Sequence, residues 1–542
     1  MSFKDKVVYQ IYPKSFKDSN GDGIGDICGI ISKLDYLKDL GVDIIWINPV
    51  TVSPQRDNGY DVADYRNIDS RYGTMEDFEA LICECDKRGM EVMIDMVFNH
   101  TSTEHEWFKK AISGDEKYQD YYFFRTSDTL PTNWQSKFGG DAWEYVEKID
   151  KWYLHLYDKT QADLNWDNPE VRKECADIVN FWRSKGVKNF RFDVVNLISK
   201  ETVDEYDPNN YDGRQFYTDG PHVHEYLEEL NKNSFGLDDT SITVGEMSST
   251  TIDNCKRYAS LDGKELSMVF SFHHLKVDYK NQKKWELKPF DFLELKSLLN
   301  SWQISMQKAN AWQALFLNNH DQPRSVSRFG NDKDYRKESA KMLATITHLM
   351  RGTPYIYQGE EIGMTNPYFT SIDEYRDVES INIYNILKEE GVSEEEIYKL
   401  LQARSRDNSR TPMQWSDNVE AGFTEGIPWI SVQKNYREIN VDKERKEKDS
   451  IFNYYKELIK LRKTYKVIQE GLYEPLLEDH KQVFAFKRIL EDEELLVLCN
   501  FYGEEVDINL DITNFKTLLS NTNNKTFNNH LSPYEAIVLY KG

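Results

Sequence analysis

Cysteine is scarce: six stand in 542 residues, at positions 28, 83, 85, 175, 255 and 499. They are scattered, without the paired spacings of a disulfide framework, so reduced thiols and a cytoplasmic location are expected. Cys83-Glu84-Cys85 has no second Cys or His pair to complete a tetrahedral site, which argues against zinc there. Long apolar runs are lacking as well; none approaches the roughly 18 residues of a membrane span. The chain enters Val7-Val8-Tyr9-Gln10-Ile11-Tyr12 with no apolar leader and small-residue cleavage site before it, so no export signal is expected. Basic residues are in deficit, 68 Lys and Arg against 92 Asp and Glu, a net charge of −24. That field argues against nucleic acid and anionic membranes as partners, and nothing in the chain calls for an obligate protein partner. It also sets a condition: an anionic small molecule needs a locally basic site.

What is present is an α/β pattern. Hydrophobic content of 39% with 30% charged residues describes an ordinary folded chain, long enough for two or three domains. Eight short β-rich runs occur in order: Val7–Ile11, Asp43–Ile47, Val92–Val97, Phe190–Val194, Ile242–Gly245, Met268–Phe272, Ala314–Leu317 and Tyr355–Tyr357. Helical patterns lie between them, including Ile31–Leu40, Met75–Arg88, Pro169–Lys185, Phe290–Gln307 and Tyr335–Met350. Eight such units predict a (β/α)8 TIM barrel, whose active site lies at the C-terminal strand ends. The stretch after the third strand is too long for a connection, which predicts an inserted subdomain. From about residue 472 short alternating strands predict a C-terminal antiparallel β domain. The expected boundaries are 1–100 and 168–468 for the barrel, 101–167 for the insertion and 469–542 for the C-terminal domain. The charge run 442–449 reads as a solvated loop.

Polar residues recur at the predicted strand ends. Strand three closes on Asp95-Met96-Val97-Phe98-Asn99-His100, strand four on Arg191-Phe192-Asp193, strand five on Glu246 and strand seven on Asn318-Asn319-His320-Asp321. Charges on buried strands are costly unless paired or used. Each alone could be an internal ion pair, but four strands delivering carboxylates and imidazoles to one rim point to chemistry. Paired carboxylates suit glycoside hydrolysis.

These four segments, in this order, resemble the signature regions of the α-amylase superfamily, glycoside hydrolase family thirteen, across essentially the whole chain. The resemblance implies a retaining mechanism with Asp193 as nucleophile, Glu246 as general acid/base and Asp321 as a third carboxylate holding sugar hydroxyls. It implies that Arg191 orients Asp193, that His100 and His320 bond the sugar, and that Asp57 and Tyr60 form the outer wall of the same subsite. Arg410, in Ser409-Arg410-Thr411-Pro412-Met413-Gln414-Trp415, matches the arginine that caps the non-reducing end. Tyr157 stands where relatives often carry Phe, on the aromatic wall. No cofactor is implied for catalysis. Superfamily members that serve only as binding subunits lack catalytic carboxylates, whereas Asp193, Glu246 and Asp321 are all present here.

Near the N-terminus, Asp18-Ser19-Asn20-Gly21-Asp22-Gly23-Ile24-Gly25-Asp26 alternates oxygen donors with glycines, like the first half of an EF-hand loop. The same loop in oligo-1,6-glucosidase relatives binds calcium, so a structural Ca²⁺, with Mg²⁺ as an alternative, is expected. Its ligands would be Asp18, Asn20, Asp22 and Asp26 with the Ile24 carbonyl.

Val194, directly after Asp193, resembles the oligo-1,6-glucosidase branch. Glu246-Met247-Ser248-Ser249-Thr250, Phe216-Tyr217-Thr218-Asp219-Gly220-Pro221 and Tyr375-Arg376-Asp377-Val378-Glu379-Ser380 are similar to the trehalose-6-phosphate hydrolase (phospho-α-(1,1)-glucosidase) family. After strand six, Lys276, Lys280, Lys283 and Lys284 with His273 and His274 form a basic window in an acidic chain. A phosphate needs such a window. Lys276 and Lys284 are the expected phosphate ligands, with His273 or His274 a weaker candidate. The resemblance to that family implies hydrolysis of trehalose 6-phosphate to glucose and glucose 6-phosphate. The alternative is an oligo-1,6-glucosidase (isomaltase) acting on unphosphorylated isomalto-oligosaccharides.

Overall fold

The computed structural model describes residues 3–200, 204–208, 212–522 and 526–542. Eight parallel strands are built from the apolar runs: β1 (Val8–Ile11), β2 (Ile44–Ile47), β3 (Glu91–Met96), β4 (Asn189–Phe192), β5 (Thr243–Glu246), β6 (Met268–Phe270), β7 (Ala314–Leu315) and β8 (Thr353–Tyr357). Their order is β6-β5-β4-β3-β2-β1-β8-β7. A single parallel bridge, Val269 to Gln313, links β6 to β7 and completes the barrel. Nearly every strand residue is buried, as expected where helices cover the outer face and side chains fill the interior. Register aligns the polar ends: Arg191 lies beside Asp95 on β3 and Val244 on β5.

Helices cover the strands with one apolar face each. In α1 (Met75–Lys87) Phe78, Leu81, Ile82 and Cys85 point inward at helical spacing, and Thr74 with Asp77 forms a capping box at its start. In α2 (Pro169–Ser184) Asn168 caps and Pro169 takes the first turn, where its missing N–H is no loss. The expected helix 31–40 is instead two, Ile27–Ser32 and Leu34–Leu40. The first starts early because the Asp26 carboxylate accepts the Gly29 N–H at 2.6 Å.

After β3 the chain leaves the barrel through an antiparallel pair, His100–Ser102 against Gln161–Asp163. Between them stand Phe124–Arg125, Trp143–Val146 and Lys151–Leu154 as a three-stranded antiparallel sheet. The charge run 442–449 is not simply a solvated loop. Asn440 caps a short helix, Val441–Lys446, and Glu444 is buried, accepting the Ile451 N–H at 2.8 Å. A charge run turns helical here because one of its carboxylates caps the next helix.

The last strands, β9 (Leu472–Leu476), β10 (Val483–Leu490), β11 (Glu493–Asn500), β12 (Lys516–Ser520) and β13 (Ala536–Lys541), form an antiparallel sheet in the order β9-β10-β11-β13-β12. It is locked to the barrel by Arg488, buried and donating to the carbonyls of Leu349 and Gly471 at 2.9 and 2.7 Å. Phe501 packs on Phe292 of a barrel helix, with ring centroids 4.7 Å apart. No described helix is long and apolar enough to cross a membrane, and all six cysteines are free. Phe501→Ala should therefore destabilise the whole chain by about 3–5 kcal/mol, read as a lower urea midpoint. An unchanged midpoint would mean that the sheet does not support the barrel.

Candidate active site

The site is assembled around Arg191. On β4 this guanidinium is 1% exposed and bonds Asp95 at 2.6 Å and Asp193 at 2.5 Å through Nη1, while Nη2 contacts Glu246. It also lies over the rings of Trp46 and Tyr60, 5.2 and 5.7 Å from their centroids. Burial raises the Asp95 carboxyl, and Arg191 opposes that rise. Tyr60 and Trp46 donate to the other Asp95 oxygen at 2.9 and 3.3 Å, which fixes the carboxylate beneath the arginine.

Asp193 leaves the barrel at a strained turn. Val194, the next residue, has φ 36°, a left-handed conformation rare for a β-branched side chain. The sharp turn leaves Asp193 facing a cavity of about 270 Å³, and Val194 lines the same wall. Asp57, Tyr60, His100, Tyr157, Glu246 and Asp321 also line it. Tyr60 and His320 stack, 5.2 Å apart and nearly parallel. Burial brings His320 down to about 3 and lowers His100, so both imidazoles are neutral at pH 7. Gln10 meets His320 Nδ1 at 2.8 Å, and the Tyr60 carbonyl meets His100 Nε2 at 3.0 Å.

The third carboxylate belongs to a second ionic cluster. Burial pushes Asp321 up, but nearby positive groups outweigh it and hold the carboxyl well below its ordinary range. With His320 neutral, that support comes from Arg410 at 2.7 Å and Arg406 at 3.5 Å. Asp57 bonds Arg406 at 3.0 Å and Gln161 at 3.1 Å, yet burial still pushes its carboxyl up to about 7. Asp61 accepts the N–H groups of Arg56 and Asp57, which holds the turn that presents Asp57.

Several expected positions lie outside the cavity lining, among them His320, whose ring stacks on Tyr60. Arg410 does not line the cavity: its Nε donates to the His320 carbonyl at 2.8 Å and Nη2 to Asp321, behind the wall. The cavity-facing guanidinium is Arg406, which lies over Phe138 at 4.9 Å. His273 also lies outside the cavity, tilted against Trp302 with centroids 5.4 Å apart. Lys276 and Lys284 do line it, and Lys284 is paired with Glu379 at 2.5 Å. Lys137, Phe138, Phe272, Leu275, Tyr279 and Gln322 also line it and were not singled out from the sequence, whereas Ser248, Ser249 and Glu379 lie in the stretches that resemble the phospho-α-(1,1)-glucosidase family. Lys137 belongs to the insertion, which has no simple periodicity to direct a side chain.

The N-terminal loop lies apart from this cavity. Asp18 accepts the N–H groups of Asn20, Gly21 and Gly23 and the Thr424 hydroxyl. Asn20 accepts the Asp22 N–H, and Asp22 the Ile24 N–H, both through side-chain oxygens. A Cβ at Gly23 would lie 1.8 Å from the Ile427 carbonyl oxygen, so that position requires glycine. Asp26 accepts from Ser19 and Gly29. Among the described residues no three His, Cys, Asp or Glu side chains gather as a metal-holding group. A hard cation at this loop would thus need the Asn20 amide oxygen and Ile24 carbonyl beside the carboxylates. That all-oxygen donor set fits calcium chemistry, since each carboxylate has lone pairs beyond those the N–H groups use.

Removing Arg191 should expose how much depends on it. Arg191→Ala leaves buried carboxylates without their cation and should cost about 3–5 kcal/mol of folding stability at pH 7. Asp95, already raised by burial, takes up a proton as pH falls, so the difference from wild type should shrink between pH 7 and pH 5. Denaturant unfolding at both pH values checks this; an equal loss at each would contradict it.

A sequence model of the alpha-amylase catalytic domain matches residues 10–471, and one of the alpha-amylase SusG C-terminal domain matches residues 483–538. The chain is 54% identical to a trehalose-6-phosphate hydrolase of Bacillus subtilis, over 99% of this chain and 97% of that one. It is 49% identical to an oligo-1,6-glucosidase of Bacillus cereus, over 99% and 98%. The crystal structure of trehalose-6-phosphate hydrolase from Bacillus licheniformis superposes with a TM-score of 0.95 at 54% identity, covering 99% of each chain. The chain belongs to the alpha-amylase family of glycoside hydrolases.

Proposed function

We propose that this chain is a retaining α-glucosidase that hydrolyses trehalose 6-phosphate to glucose and glucose 6-phosphate. One observation carries the choice of substrate: an acidic protein places Lys276 and Lys284 in the wall of the cavity that holds Asp193 and Glu246. Full-length identity of 54% to a trehalose-6-phosphate hydrolase supports the same reading. The unmodified glucose ring sits among Asp57, Tyr60, His100, Tyr157 and Asp321, with Arg406 closing the non-reducing end. The phosphorylated ring lies toward the lysines. We place the reaction in the cytoplasm, in keeping with six free thiols.

The chemistry follows from the two carboxylates on one guanidinium. Retaining enzymes hold them about 5–5.5 Å apart, and sharing Arg191 keeps Asp193 and Glu246 near neighbours. Asp193 attacks the anomeric carbon as Glu246 gives its proton to the leaving oxygen. The glycosidic bond breaks, glucose 6-phosphate departs and glucose remains as an ester on Asp193. Glu246, now a carboxylate, takes a proton from water, and the resulting hydroxide cleaves the ester with overall retention. Asp321, kept ionised by its arginines, binds sugar hydroxyls and favours the positively charged transition state.

Lys276→Ala and Lys284→Ala should each weaken the phosphorylated substrate by about 1.5–3 kcal/mol, the worth of a charge-assisted hydrogen bond. The loss should be much larger on trehalose 6-phosphate than on an aryl α-glucoside. Wild-type enzyme assayed side by side on trehalose 6-phosphate, trehalose and isomaltose decides between this function and an oligo-1,6-glucosidase. Faster glucose release from isomaltose than from trehalose 6-phosphate would favour the latter.

We further propose that Asp18, Asn20, Asp22, Asp26 and the Ile24 carbonyl hold a structural Ca²⁺. When bound, the cation supplies charge neutralisation to an acidic loop and takes no part in catalysis. Chelator-treated protein should regain thermal midpoint on adding Ca²⁺, and Asp22→Ala should blunt the gain. A midpoint indifferent to Ca²⁺ and Mg²⁺ would rule the site out.

A further inference from the structure

Lys137 and Lys276 approach the same cavity from opposite parts of the chain, one from the insertion and one from the segment after β6. Among the described residues, neither ammonium has a carboxylate within ion-pairing distance. Other cations around the cavity are engaged: Arg191, Arg406 and Lys284 each hold carboxylates. Both lysines are lowered by burial, Lys137 to about 8; Arg214 lowers each further, and Lys276 adds to the effect on Lys137. Such an arrangement is unfavourable until an anion enters between them.

Lys137 is also held in place. Its N–H donates to the Leu156 carbonyl at 2.9 Å, while Ser136 and Gly140 close a turn through a 2.9 Å backbone bond. Ser136 Oγ donates to the Tyr157 carbonyl at 2.6 Å, which ties the turn to the aromatic wall. The ammonium lies over the Tyr217 ring at 5.3 Å. Around it Asp212, paired with Arg214 at 2.6 Å, and Asp163, paired with Lys200 at 3.0 Å, favour its charge from beyond ion-pairing distance. Arg214 and Lys276 are the positive groups that oppose it.

We propose that Lys137 is a specificity-determining phosphate ligand, and that the insertion thereby closes on the phosphorylated ring opposite Lys276. This rests on the reading of the substrate as a sugar phosphate. A dianionic phosphate between the two ammonium groups accepts from both and removes their mutual repulsion. The lysine must carry its proton to serve, so selectivity depends on pH. A phosphate monoester stays dianionic above about pH 7, which leaves the lysines as the groups that change charge as the solution becomes alkaline.

The test compares trehalose 6-phosphate with p-nitrophenyl α-glucoside in wild type, Lys137→Ala and Lys137→Arg between pH 7 and 9. Lys137→Ala should raise KM for trehalose 6-phosphate by about 10- to 100-fold, with a far smaller change for the aryl glucoside. In wild type the ratio of kcat/KM values, phosphorylated over unphosphorylated, should fall as pH rises through about 8. Lys137→Arg, which stays charged, should keep most of the selectivity and flatten that fall. Equal losses on both substrates in Lys137→Ala, or a wild-type pH fall retained in Lys137→Arg, would overturn the assignment. A wild type that does not favour trehalose 6-phosphate at pH 7 would instead overturn the substrate reading, and this proposal with it.

Discussion

One buried guanidinium organises this molecule. Arg191 is fully inside the barrel yet has carboxylates from β3, from the end of β4 and from β5 as neighbours. Taking charges from water is expensive, and only such close pairing compensates for it. The arrangement also fixes the register of three adjacent strands, because a slip of one residue would turn Arg191 away from Asp95. Catalytic geometry and barrel geometry are thus the same constraint.

A second cluster stands beside the first. Asp321 and Asp57 face the cavity, and the fully buried Asp377 lies behind them; Arg406 and Arg410 are shared among the three. The two arginines divide the work by direction: Arg406 meets the cavity and Arg410 braces Asp321 from behind. Beyond them the wall changes character. Guanidinium–carboxylate pairs give way to lysines, two of which have no carboxylate partner among the described residues. The net negative charge of the protein makes that local reversal meaningful, since it concentrates attraction for an anion in one place.

Much of this was legible in the sequence. Parallel strands buried on both faces read as short apolar runs, so all eight barrel strands were found with small shifts at their ends. Asp95, Arg191, Asp193 and Asp321 stood out because charge in such runs has no cheap structural explanation. What stayed hidden depended on tertiary direction. Arg406 and Arg410 are four residues apart, and only packing against Asp377 and Phe138 decides which faces the cavity. Lys137 lies in an insertion whose loops have no periodicity from which to read orientation. His273 had the right neighbours in sequence, but its ring turns toward Trp302. In the run 442–449 a charged composition concealed a carboxylate that belongs inside.

The wall formed by Asp57 and Arg406 has a consequence for the order of events. In the proposed reaction the glucose ring is held against that wall and the phosphorylated ring lies toward the lysines, so the phosphorylated product is the one that must leave first. On that proposal it departs while glucose is still esterified, and water reaches Glu246 through the space it vacates. The rim must therefore let go quickly. Each added contact to phosphate improves capture and lengthens residence of the leaving sugar, so turnover sets an upper bound on how tightly this enzyme can hold the group that defines its substrate.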